Sequence, residues 1–154
     1  MPPRPDGRDG PAGAQAQPQL HGFHLNPADE RLLRGQPPPQ ALQWAAAAVG
    51  AGARVRAVRA LEGGTSSAIH ALSVEDASGR THSLVLRRFV RLDWLAEEPD
   101  LAEREATALA VAADGQLPTP QLVATDPRGE AAGVPAVLMT RLRALSETLR
   151  TACT

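Results

Sequence analysis

Ala68-Ile69-His70-Ala71-Leu72-Ser73-Val74-Glu75, Asp76-Ala77-Ser78-Gly79-Arg80, Thr81-His82-Ser83-Leu84-Val85-Leu86-Arg87-Arg88-Phe89-Val90 is the stretch whose reading decides the fold. In its first part Ile69, Ala71 and Ser73 stand opposite His70, Leu72 and Val74, the two-residue period of a strand. Asp76 to Arg80 has the Asp, Ser and Gly chemistry of a turn. Thr81 to Val90 is the strongest strand pattern in the chain. Two strands joined by so short a turn pair antiparallel.

Outward from this hairpin the pattern continues. Upstream, Val55, Val58 and Leu61 alternate with arginines as an imperfect strand, so three strands form a meander. Downstream, Glu97 to Ala113 reads as one helix, with Leu101, Ala108, Leu109 and Ala112 at helical spacing and Gly115 as a stop. Gln121 to Thr125 is a short strand, Asp126-Pro127-Arg128-Gly129 a turn, and Pro135 to Leu142 a last strand. The order β-β-β-α-β-β predicts an α+β fold: an antiparallel five-stranded sheet with one main packed helix, not a parallel doubly wound sheet. A helix over Gln40 to Val49 precedes it, with Leu42 and Val49 on one face and Gly50 and Gly52 at its end. Residues 1–38 read as a Pro/Gly-rich disordered leader. Within it, Asn26 as N-cap and Pro27 at the first helical position mark a short helix start.

The chain has 154 residues, of which 43% are hydrophobic but only 3% aromatic. That is enough for one domain with a core of small side chains. A net charge of -1 gives no electrostatic case for a nucleic-acid or membrane partner. All 16 basic residues are Arg, so any cation that grips an oxyanion must be a guanidinium. The single cysteine, Cys153, allows no disulfide framework within one chain and suits a cytoplasmic setting. Met1 to Pro18 has no apolar stretch of the signal-peptide kind, and Ala45 to Val49 is far too short to span a bilayer.

Several residues bear chemistry. Leu61-Glu62-Gly63-Gly64-Thr65-Ser66-Ser67 lies between two strands. Its glycines let the backbone bend and approach a ligand, and its hydroxyls and N–H groups suit phosphate oxygens. Taken alone it is first an ordinary turn. Arg87 lies two residues beyond Val85, so both occupy one face of the strand. Val85 would cover a flat base while Arg87 reaches its phosphates; alone, Arg87-Arg88 is a solvated pair at a strand end. Glu105 pairs with Arg87, with neighbouring Arg104, or with water. His21 and His24 have a metal-like spacing without further ligands, and read as a chance pair. His70 and His82 read as structural or surface residues, and Trp44 and Trp94 as packing anchors.

In order and spacing, these parts resemble the N-terminal lobe of the aminoglycoside phosphotransferase family, which shares its fold with protein kinases. The resemblance runs from about Leu42 to Leu142. It rests on the Gly-Gly-x-Ser loop, the strand ending Leu86-Arg87, Arg104-Glu105 on the helix, Leu117-Pro118-Thr119-Pro120, Gly133-Val134-Pro135, and Leu138-Met139 before the hinge. It implies a division into residues 1–38, a leader; 39–145, the kinase-like lobe; and 146–154, a tail that matches nothing in the family.

The resemblance also implies roles. Gly63, Gly64, Thr65 and Ser66 would be the flap over the phosphates of ATP; the family often has Asn where this chain has Ser67. Arg87 would touch the phosphates and Glu105 would orient it. Val85 would lie against the base, and Met139 at the back of its pocket. The Thr140 C=O and Leu142 N–H would hydrogen-bond adenine, and Ala144 stands where a glycine commonly ends the hinge. The family's catalytic His-x-Asp loop and the Asp and Asn that hold Mg²⁺ follow in a second lobe. This chain has no His after His82 and no Asp after Asp126, so neither catalytic nor metal residues are expected in it.

The resemblance thus implies the nucleotide-holding part of an ATP-dependent small-molecule phosphotransferase, expected to be inactive by itself. The alternatives are a non-catalytic nucleotide-binding or partner-docking module and a non-functional gene fragment. Apolar surface on the lobe–lobe face would favour self-association.

Overall fold

In the computed structural model of the protein the described residues are 25–142. Helix α1 (Pro27–Arg34) opens as its sequence requires, with the Asn26 side chain accepting the Asp29 N–H at 2.9 Å. Helix α2 (Pro39–Val49) begins at a proline and ends at Gly50. Five strands follow: β1 (Arg54–Ala60), β2 (Ala68–Glu75), β3 (Thr81–Arg88), β4 (Leu122–Asp126) and β5 (Ala136–Thr140). They form one antiparallel sheet of order β1-β2-β3-β5-β4. The α+β class, the meander and the five antiparallel strands agree with the sequence reading.

The helical segment between β3 and β4 differs from expectation. Instead of one helix from Glu97, the chain forms α3 (Leu92–Glu97), breaks, and forms α4 (Leu101–Ala113). The break lies at Glu98-Pro99. A residue before proline is driven from the helical region, and Glu98 sits at φ -130°, ψ 77°. The buried face of α4 also differs. Ala102 and Ala106 are buried, with Leu101 and Leu109 packed beside them, whereas Ala108 is exposed.

Within the stretch read as a leader, residues 27–34 form α1 where Asn26-Pro27 marks a helix start, and its Leu33 is 2% exposed against Ala68 and Val90. The adjoining Gly35 C=O meets the buried His70 Nε2 at 2.9 Å. Residues 1–24, including His21 and His24, and 143–154, including Ala144 and Cys153, lie outside the described residues.

Strand alternation gives the sheet two different faces. Leu72, Val74, Leu84, Leu86 and Leu138 pack with Ala41, Ala45 and Ala46 of α2. The alanines, at helical spacing and without bulk, let α2 lie close to the sheet. On the other face, Val137, Met139 and Phe89 pack with Ala102 of α4, with Val85 and Leu122 at the margin. Arg87 shares this second face with Val85, two residues away. The sheet therefore carries Arg87 under α4, next to the loop that joins β1 to β2. No helix among the described residues is long and apolar enough to cross a membrane.

Candidate functional site

The site begins with a carboxylate on an otherwise apolar helix face. Glu105 is one turn from Leu101 on one side and from Leu109 on the other. Ala102 and Ala106 let α4 approach the sheet closely, so the Glu105 carboxylate comes 2.5 Å from Arg87 Nη1. Arg104, the alternative partner, points away and pairs with Glu98 and Asp100. Its guanidinium is held more firmly protonated, chiefly by the hydrogen bond to Glu98.

Arg87 has two further contacts. Its Nε–H donates to Ser67 Oγ at 2.7 Å, and its guanidinium carbon lies 5.2 Å from the centre of the Phe89 ring. Ser67 is 1% exposed. The glycine loop is thus fastened to β3 by its last residue. A guanidinium has more N–H donors than these contacts use, so donors remain for an incoming oxyanion.

The glycines of the loop have local reasons. Gly63 is at φ 98°, where a side chain is strained. A Cβ on Gly64 would lie 2.7 Å from the Ser67 carbonyl oxygen and 3.2 Å from the Ile69 side chain. Both residues are needed for the loop to fold back over β2. Thr65 contributes its carbonyl oxygen, which accepts Arg91 Nε–H at 3.0 Å. Ser66 lines a cleft.

That cleft has a volume of about 320 Å³ and is bounded by Ser66, Arg87, Phe89, Trp94, Glu97, Glu98 and Leu101. Trp94 is therefore not the packing anchor expected from sequence. It is 46% exposed, with the Arg91 guanidinium over its ring at 5.8 Å. A second, shallower groove of about 140 Å³ crosses the part of the sheet beside α4, where Arg59, Ala71, Ser73, Ser83 and Arg141 meet. Ala71 pairs with Val85 across the strands, so the groove continues the face that carries Arg87.

The structure brings Gly63, Gly64, Thr65, Ser66, Arg87 and Glu105 into one neighbourhood. Val85 pairs with Met139 across β3 and β5, and both pack toward α4. Thr140 and Leu142 lie at the far end of β5; Leu142 is 48% exposed, and the Thr140 hydroxyl accepts the Gln121 N–H at 2.8 Å. Met139, Thr140 and Leu142 line neither the cleft nor the groove. Sequence reading missed Phe89, Arg91, Trp94 and the Ser67–Arg87 bond. Phe89 carried a signal, being two residues beyond Arg87 and so on its face. Arg91 carried none toward the loop or α1, since Thr65 and Asp29 are remote in sequence.

Two buried polar groups lie away from this cluster. Burial lowers the pKa of His70 from its ordinary value, and its Nδ1 has no partner among the described residues. Arg88, on the face opposite Arg87, has its pKa lowered by burial. Among the described residues no three His, Cys, Asp or Glu side chains gather as a metal site. No family model, curated protein or solved structure matches the chain.

Proposed function

We propose that the chain holds the nucleotide of an ATP-dependent small-molecule phosphotransferase of the aminoglycoside phosphotransferase kind. The observation that carries this reading is the Arg87–Glu105 pair at 2.5 Å, formed beside the glycine loop. A cation aimed by a helix carboxylate and roofed by a turn with exposed N–H groups suits the charge of a polyphosphate. In this reading Arg87 and the amides of Gly63 to Ser66 grip the phosphates. The base lies along Ala71 and Val85, with Met139 behind it and the Thr140 C=O and Leu142 N–H at its edge. Glu105 keeps the guanidinium in place before the ligand arrives, so less ordering remains to oppose binding.

In this reading the part of these residues in phosphoryl transfer is to bind and orient the nucleotide. Amide chemical shifts mapped during an ATP titration test it. Shifts should concentrate at residues 63–67, 85–87 and 139–142. Shifts confined to other surfaces, or none with ATP in the millimolar range, would refute it.

A further inference from the structure

We propose that Arg91 is a positioning residue of the glycine loop and that α1 holds it there, a role that rests on the nucleotide reading only for its ligand. The Arg91 Nε–H donates to the Thr65 carbonyl oxygen at 3.0 Å. Its Nη2 lies 3.5 Å from Asp29 on α1, and its guanidinium covers Trp94 at 5.8 Å. The arginine thus ties three separate segments to one point: the loop, α1 and α3.

Asp29 is itself fixed. Its N–H donates to Asn26 Oδ1 at 2.9 Å and its Oδ2 accepts Asn26 Nδ2–H at 2.8 Å. Helix α1 is in turn anchored by Leu33 and by the Gly35–His70 bond. The chain of contacts from the β2 core through α1 to Arg91 and Thr65 is therefore continuous.

The loop is pinned twice. Arg87 takes the Ser67 hydroxyl and Arg91 takes the Thr65 carbonyl, two residues apart. With its C=O turned to Arg91, Thr65 has its backbone orientation fixed, and with it the direction of the adjoining Ser66 amide. In the nucleotide reading, these are the N–H groups that meet phosphate. Arg91 touches no ligand; it acts by removing the freedom of the loop, and α1 makes an otherwise remote segment part of nucleotide binding.

Backbone ¹⁵N relaxation on the full chain without ligand tests the clamp. In Arg91→Ala the amides of 62–67 should fall to flexible order parameters, below about 0.6, while β2 and β3 stay near about 0.85. Asp29→Asn should give a smaller fall in the same segment, and Arg91→Lys should restore part of the rigidity. Calorimetric ATP titration of the same proteins should show weaker affinity in the same ranking. Unchanged loop order parameters in Arg91→Ala overturn the proposal whatever ATP does, and so does a fall spread equally over β2 and β3. A looser loop with no ATP binding even to the native chain leaves the clamp standing and removes the nucleotide reading.

Discussion

The Arg87 guanidinium and the Glu105 carboxylate meet at 2.5 Å across the contact between β3 and α4, with their side chains 29% and 20% exposed. They join the sheet to its main helix at the point where the glycine loop arrives. An ion pair so little exposed differs from a solvated one, because loss of either partner leaves a charge in a poorly hydrated place.

Glu105→Gln should therefore lower stability by about 1–2 kcal/mol, less than for a fully buried pair and more than for a surface pair. Denaturant melts of Glu105→Gln, Arg87→Met and the double variant form the check. A coupling of about 1 kcal/mol is expected; single effects that simply add would show that the two side chains do not interact in solution.

Asp126 should be the most sensitive polar position away from the site. Its carboxylate accepts N–H groups from Glu130, Ala131 and Ala132 at 3.2, 2.8 and 2.7 Å, and the residue is buried. Asp126→Ala would leave these donors unpaired and should cost about 2–3 kcal/mol. Gly129→Ala should also be destabilising, since its Cβ would fall 2.4 Å from the Val134 backbone at φ 72°. Thermal melts that leave either variant at the native midpoint would contradict this account of the turn.

How much of this was legible in the sequence follows from the range of each interaction. The β2–β3 hairpin was legible because alternation and turn chemistry are local. The two-helix segment reads as one helix only when the spacing that begins at Leu101 is carried back to Glu97 across Pro99, whose effect on Glu98 is equally local. In the site, Val85 and Arg87 were placed together by the period of the strand alone. Glu105 had a usable mark as a charge on an apolar face. The Arg91–Thr65 and Ser67–Arg87 bonds had none, because each needs the loop's path, which no periodicity specifies. The start of α1 was legible at Asn26-Pro27, but its packing through Leu33 was not, because Ala68 and Val90 are remote in sequence.

The pH dependence of stability should carry the mark of His70 in mildly acid solution. Burial lowers its pKa below the ordinary value. The unfolded chain then binds a proton that the folded chain refuses, so stability is full above about pH 6.5 and falls as pH drops toward the folded-state pKa. Asp76 acts in the same sense further down, in more acid solution. Its carboxyl is depressed chiefly by the His82 hydrogen bond and then by Ser78, so its contribution is present above about pH 4 and lost below. Urea midpoints between pH 7.5 and 5 should fall for the native chain and much less for His70→Gln. Parallel profiles would show that His70 does not couple to folding.

The nucleotide reading stands or falls on calorimetric titration of the native chain and of Arg87→Ala with ATP. Saturable binding to the native chain is expected with a Kd of about 1 mM or tighter, weakened at least about tenfold by Arg87→Ala while the fold persists. No binding to the native chain in that range, or equal binding by the variant, would contradict it.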